Sequence, residues 1–247
     1  MSWWLIALVG SGVGLFAGLF GAGGSAVGTP LLNAIGVAPF VALASPLPAA
    51  VPIAVAASGA YQKRGYLDRR VATWCIAIGL PATVGGAPLT PHVGGRLLVQ
   101  ITEGVVAAIG LRLTIFPRES GERGAGNGAA RIRVISVAAV VGVVSGLLAN
   151  SGGFLLTPLF LLILRMPIKR ALATSLAVSA ALAVPGTITH AVLGHIDWLV
   201  VLAYALPATP AAYLGARLAI RAQSEWLTRA YGVALLALAT GLLISST

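Results

Sequence analysis

Gly21-Ala22-Gly23-Gly24-Ser25-Ala26-Val27-Gly28-Thr29-Pro30-Leu31-Leu32 decides the fold, because Ala149-Asn150-Ser151-Gly152-Gly153-Phe154-Leu155-Leu156-Thr157-Pro158-Leu159-Phe160 repeats its pattern 128 positions later. At that offset Gly14, Gly18, Gly24, Thr29 and Pro30 fall on Gly142, Gly146, Gly152, Thr157 and Pro158. One inserted residue then moves the offset to 129. Ala42-Leu43-Ala44-Ser45 falls on Ala171-Leu172-Ala173-Thr174, Gly65-Tyr66-Leu67-Asp68 on Gly194-His195-Ile196-Asp197, and Pro81 on Pro210. So many matches in one register identify an internal duplication.

Of the 247 residues 58% are hydrophobic and 9% charged, too little polar surface for a soluble domain of this length. The composition is that of an all-α integral membrane protein, with the lipid bilayer as its partner. A net charge of +10 would suggest nucleic acid in a soluble protein; here it reads as orientation in the bilayer, with no nucleic-acid partner. Met1 to Leu8 read as the start of a first span, since no basic start and small-residue cleavage site precede it. The single cysteine, Cys75, excludes an intrachain disulfide and reads as apolar filler.

Apolar segments run roughly over 3–21, 26–36, 38–60, 71–90 and 97–116, and again over 134–150, 154–165, 171–193, 198–219 and 227–245. This divides the chain into a first membrane repeat (1–116), a glycine-rich charged cytoplasmic linker (117–133) and a second membrane repeat (134–247). The second segment of each repeat, about 12 residues, reaches about 18 Å against a hydrocarbon core of roughly 30 Å. It is either re-entrant or a half-helix beginning at membrane depth. Charge separates the two. Re-entrant segments give parallel repeats with Lys and Arg scattered over both faces. Counted as crossings they give two inverted repeats of five hydrophobic segments each, with 15 of the 16 basic residues on the cytoplasmic face and Arg96 outside. Moreover, the loop at Gly65 carries four basic residues while its equivalent at Gly194 carries none, as inversion requires. The expectation is ten crossings with both termini outside the cytoplasm.

Non-helical backbone is tolerated at membrane depth only where protein buries it or water reaches it. The Gly-Gly turns are therefore candidates for the centre. Each precedes a short helix whose first N–H groups carry partial positive charge, and two such starts meeting near the midplane make an anion site without a charged side chain. The candidate binding residues are Gly23, Gly24, Ser25 and Thr29 in the first repeat and Asn150, Ser151, Gly152, Gly153 and Thr157 in the second, with Ser45, Thr174 and Ser175 near the duplicated Ala-Leu-Ala turn. The competing reading is that the small residues only allow close helix packing. Glu103, an acid inside a span, and His190 are the candidates for proton coupling. Thr187 and Thr189 read as bonding back into their own helix, Asp68 and Asp197 as helix N-caps. His92, His190 and His195 are not at metal-ligand spacing, and no nucleophile–base pair or phosphate loop is evident. No metal, cofactor or enzymatic activity is expected.

The paired motifs, Gly14-Leu15-Phe16-Ala17-Gly18 through Pro30 and Gly142-Val143-Val144-Ser145-Gly146 through Pro158, resemble those of the TauE/SafE family of sulfite and organosulfonate exporters. Ala171-Leu172-Ala173-Thr174-Ser175-Leu176 and Gly194-His195-Ile196-Asp197 extend the resemblance over nearly the whole chain. It implies a secondary transporter of the bacterial inner membrane that exports small sulfur-containing anions such as sulfite, sulfonates or sulfoacetate, driven by an ion gradient with H+ as the expected coupling ion. An anion channel, or a permease for sulfate, thiosulfate or a carboxylate on the same scaffold, is the alternative; a homodimer is compatible with either. The first repeat departs from the family pattern in having Pro46 after Ser45, where the second has Thr174-Ser175, and Ser25 where the second has Gly153.

Overall fold

The computed structural model describes residues 2–86, 104, 107–115, 128–147 and 151–246. Glu103 and Asn150 lie outside the described residues. The first repeat forms α1 (Trp3–Phe20), α2 (Ser25–Ala34), α3 (Pro39–Ala44), α4 (Pro46–Gln62), α5 (Arg69–Gly86) and a helical stretch at 107–115. The second forms α6 (Gly128–Leu147), α7 (Gly153–Leu162), α8 (Ile168–Val192), α9 (Trp198–Arg221) and α10 (Ser224–Ser246). No strand occurs among the described residues. Among the described residues, four stretches are long and apolar enough to cross a bilayer: Trp3–Phe20, Pro39–Gln62, Ile168–Val192 and Trp198–Arg221. The chain is an all-α membrane protein.

The two short segments are helices of 10 residues each, about 15 Å long and so half a hydrocarbon core. Two boundaries differ from the sequence reading. α6 begins at Gly128, inside the stretch read as linker, and places Arg131 against the Trp74 ring of α5, 4.4 Å from its centroid. The third segment is broken at Ser45 between α3 and α4, whereas its equivalent α8 is continuous. Pro46 is the cause: it has no N–H to donate to the carbonyl four residues back, where Ser175 in α8 does.

Each repeat lends its first helix to the other. α1 packs along α9 and α5 along α6, while α4 and α8 pack on each other. The contacts match residue by residue. A Cβ on Gly14 would collide with the Ala208 carbonyl; one on the equivalent Gly142 would lie 2.6 Å from the Gly79 carbonyl, and Gly79 is the equivalent of Ala208. Likewise Gly215 abuts the Leu15 carbonyl and Gly86 the Val143 carbonyl. Helices at this distance leave no room for a side chain, and dense contact is what holds helices together where lipid is as apolar as the protein. Gly10, Gly14 and Gly18, on one face of α1, meet the α9 backbone in this way. The α3–α4 and α8 stretches are the most buried of the four, 56% of each against 33% for α1 and 39% for α9. They form the centre.

Two ends of this bundle are distinct. The α4 C-terminus (Lys63, Arg64) lies beside the α9 C-terminus (Arg217, Arg221). Lys169, at the start of α8, donates to the Ile220 carbonyl at 2.8 Å and stands 6.0 Å from the Tyr66 ring centroid. At the other end of α8, the His195 ring lies 5.2 Å from that of Phe40, at the start of α3. Asp68 Oδ1 accepts from the Val71 N–H, and Asp197 Oδ1 from those of Leu199 and Val200, so both acids cap helix starts as expected. Thr187 and Thr189 bond back to the carbonyls of Ala183 and Pro185. Cys75 is fully buried.

Candidate functional site

Both short helices start from a glycine in the left-handed region, Gly24 at φ 77° and Gly152 at φ 67°. Only glycine takes that conformation without steric cost, and here it turns the chain sharply from the end of one helix into the start of the next. The two turns meet head to head. The Ser25 and Ser151 hydroxyls lie 2.9 Å apart, and the Ser151 N–H donates to Ser25 Oγ at 3.2 Å. Around the same point a Cβ on Gly153 would lie 2.9 Å from the Gly23 nitrogen, and one on Gly23 would collide with Ser151 Oγ. Ser25 and Ser151 are equivalent to Gly153 and Gly23, so each turn offers one hydroxyl and one bare backbone to the other.

Further hydroxyls lie on the neighbouring turns. Ser175 Oγ lies 2.6 Å from Thr157 Oγ1 and within 3.0 and 3.3 Å of the Leu172 and Gly21 carbonyls. Thr29, the equivalent of Thr157, finds Pro46 where Ser175 would stand and bonds back to the Ser25 carbonyl at 3.1 Å. Of the remaining candidates, Thr174 Oγ1 accepts from the Asp68 N–H at 3.2 Å, which ties α8 to the α4–α5 loop, and the Ser45 hydroxyl is buried with no hydrogen-bond partner. His190 Nδ1 lies 3.1 Å from His195 Nδ1, beside Phe40. The structure thus gathers Gly23, Ser25, Ser151 and Gly153 at one point, sets Gly24, Gly152, Thr157 and Ser175 around it, and gives Thr174 and His190 partners in the loops.

Three residues at the junction are not evident from the duplication. Ser179 Oγ would lie 2.5 Å from a Cβ on Gly153 and 3.4 Å from one on Gly23. Ser145 Oγ abuts Gly152. Both hydroxyls are buried and have no hydrogen-bond partner. Tyr204 OH donates to the Gly24 carbonyl at 3.3 Å and so holds the first turn from the α9 side. Their equivalents in the other repeat are Ala50, Ala17 and Cys75, which is why a search for matched polar pairs passes over them. Spacing offers one signal: Ser175 and Ser179, four apart, share a face of α8.

Chemically the junction is a set of hydrogen-bond donors without a fixed charge. Two helix starts each contribute about half a positive charge from N–H groups that have no carbonyl within the helix. Serine hydroxyls rotate to donate or accept. Such a surface suits an oxyanion, because each oxygen accepts several hydrogen bonds and no buried cation holds it permanently.

Half-helices meeting start to start inside an all-α membrane bundle are an arrangement that secondary transporters use, and its family and relatives make the chain a membrane transporter. It belongs to the TauE/SafE sulfite exporter family, whose profile, described as "Sulfite exporter TauE/SafE", matches residues 6–242. A "Probable membrane transporter protein" of Xylella fastidiosa (strain Temecula1 / ATCC 700964) is 28% identical over 244 residues, covering 95% of this chain and 93% of that one. The protein of the same description from strain 9a5c shows the same identity and coverage. "Probable membrane transporter protein YunE" of Bacillus subtilis (strain 168) is 37% identical over 84 residues, 34% of this chain and 29% of its own. No solved structure matches the chain.

Proposed function

We propose that the protein is a secondary transporter, working as an exporter, of small sulfur-containing anions such as sulfite, sulfonates or sulfoacetate, by alternating access around the α2–α7 junction. The observation that carries this reading is the head-to-head meeting of two half-helix starts with buried, partnerless hydroxyls beside them. Burying a hydroxyl without a partner costs about 1–3 kcal/mol. An anion between the helix starts would supply the missing partners. Closure of the junction, with Ser25 at 2% and Ser151 at 1% exposure, favours a carrier over an open channel, since a pore keeps its filter wet.

In this reading the repeats are inverted and make ten crossings in the bacterial inner membrane, both termini outside. Support comes from the equivalent loops at Gly65 and Gly194: the first lies with the basic end of the bundle and the second with the Phe40 end. Residues 117–133 join the repeats on the cytoplasmic side. H+ is the coupling ion, with Glu103 and His190 as the groups to change first. The sulfur anion as substrate rests on the family.

Flux into proteoliposomes tests the proposal, with sulfite, sulfate, thiosulfate, sulfoacetate, chloride and a carboxylate compared with and without a proton gradient. Saturable sulfite or sulfonate flux that responds to the gradient is expected. Absence of flux for every sulfur anion in folded protein would overturn the substrate assignment, and large single-channel currents would overturn the carrier.

A further inference from the structure

The C-terminal ends of α4 and α9 meet around a cavity of ≈ 180 Å³ lined by the exposed Lys63, Arg64, Arg217 and Arg221 and by the half-buried Tyr213 and Ile220. Two of the cations converge on one ring: Lys63 Nζ lies 5.9 Å and Arg217 Cζ 5.7 Å from the Tyr213 centroid. Outside the lining, Lys169 donates to the Ile220 carbonyl at 2.8 Å. Among the described acids, Asp68 caps α5, Asp197 caps α9 at its other end, and Glu225 is paired with Arg229 at 2.8 Å. None of the four lining cations has an ion-pair partner among the described residues.

Two general effects account for part of this. Cytoplasmic loops of membrane proteins are basic, and helix C-termini favour cations. Neither effect requires that cations from two helices line one shared hollow, two of them near one half-buried ring, where an anion between them would lower their mutual repulsion. The surroundings say what kind of anion. Tyr213 and Ile220 make an amphipathic lining at the end of a spanning helix. Next to it on α9, Leu214 and Leu218 are exposed and continue an outward apolar stripe through Leu202 and Leu206.

We infer that this cavity is a headgroup site for an acidic phospholipid, with the phosphate held among Lys63, Arg64, Arg217 and Arg221 and the acyl chains lying along Leu214 and Leu218. Guanidinium groups bind phosphate through paired N–H donors, and basic pockets between spanning helices take anionic lipid headgroups by the same chemistry. The site is separate from the α2–α7 junction and does not depend on what that junction carries. A lipid bound there ties the ends of α4 and α9 together.

The test uses the full chain, purified and delipidated in detergent, and titrated with phosphatidylglycerol, phosphatidylcholine or soluble glycerol 3-phosphate. Thermal unfolding and lipid retention in native mass spectrometry are read. Phosphatidylglycerol is expected to raise the unfolding midpoint and stay bound, while the other two do neither. At about fivefold per basic residue near the headgroup, R217Q with R221Q weakens phosphatidylglycerol about thirty-fold, and R229Q leaves it unchanged. Should the double variant not fold, K63Q in the lining carries the test alone, with an expected loss of about fivefold. Equal retention by the wild-type and variant proteins overturns the assignment. Glycerol 3-phosphate matching the lipid would also overturn it, since the cavity would then serve a soluble oxyanion.

Discussion

Ser25 and Ser151, 126 residues apart in the chain, bring their hydroxyls to 2.9 Å at the point where the two short helices begin. In the closed form each satisfies the other; with an anion present both are free to donate to it. Ser25→Ala and Ser151→Ala should therefore each raise the KM for the transported anion by about two- to thirtyfold, the charge-assisted hydrogen bond of about 1.5–3 kcal/mol less the contact of about 1 kcal/mol that it replaces. The double variant should cost more than the sum, because each single change leaves the other hydroxyl unpaired before the anion binds and so favours binding. Flux in proteoliposomes measures this, and an unchanged KM in both singles would detach the contact from transport.

Ser179 offers a sharper separation of stability from function. Its buried hydroxyl has no partner in the closed junction, so Ser179→Ala should leave the unfolding midpoint unchanged or raise it, the removed penalty being about 1–3 kcal/mol. Transport should fall all the same. A purely structural serine would show neither effect on flux.

Gly24 and Gly152 occupy equivalent positions with unequal surroundings. A Cβ at Gly24 would meet nothing nearer than Ile53 and Val13 at 3.7–3.8 Å, whereas at Gly152 it would collide with Ser145 Oγ. Both alanine variants incur about 1–2 kcal/mol for a left-handed residue. Gly152→Ala adds an overpacking cost of about 1–3 kcal/mol. Ser145→Ala should recover that second part only, as read by thermal unfolding in detergent.

Helix contact along α1 is tested by comparing neighbours. Gly14→Leu should abolish folding, since the Ala208 carbonyl occupies the side-chain position, while at Gly12 a Cβ meets nothing within 4 Å. Gly12→Leu should express and run as a single species. Equal tolerance at both positions would contradict the α1–α9 packing.

Single cysteines at Gly65 and Gly194, in a background where Cys75 is replaced, examine the inverted arrangement. At neither position would a Cβ meet anything within 4 Å, so both are accessible to a label. An impermeant maleimide applied to cells should react at Gly194 alone. Reaction at both would return the repeats to a parallel arrangement.

Much of this molecule is written locally. Apolar composition settles the membrane class, because a chain with 9% charged residues cannot cover a soluble surface. The duplication is legible because Gly14 and Gly142, or Gly24 and Gly152, meet the same backbone demand twice: close helix approach in one case and a left-handed turn in the other. Half-helix length follows from the spacing between turns, and the caps at Asp68 and Asp197 from chemistry within three residues.

Partnership across the chain is what only the tertiary structure decided. The duplication points to a meeting of the two turns, yet not to which atoms touch: that Ser25 faces Ser151, and that Ser179 and Ser145 face glycines of the turns, is set by packing. Thr174 and Ser175 are adjacent, yet one points to Asp68 and the other to Thr157 and Gly21, because neighbours on a helix stand about 100° apart. Local pattern specifies helices, turns and their periodicity; which faces meet depends on how the elements stack, and that is a sum over contacts far apart in the chain.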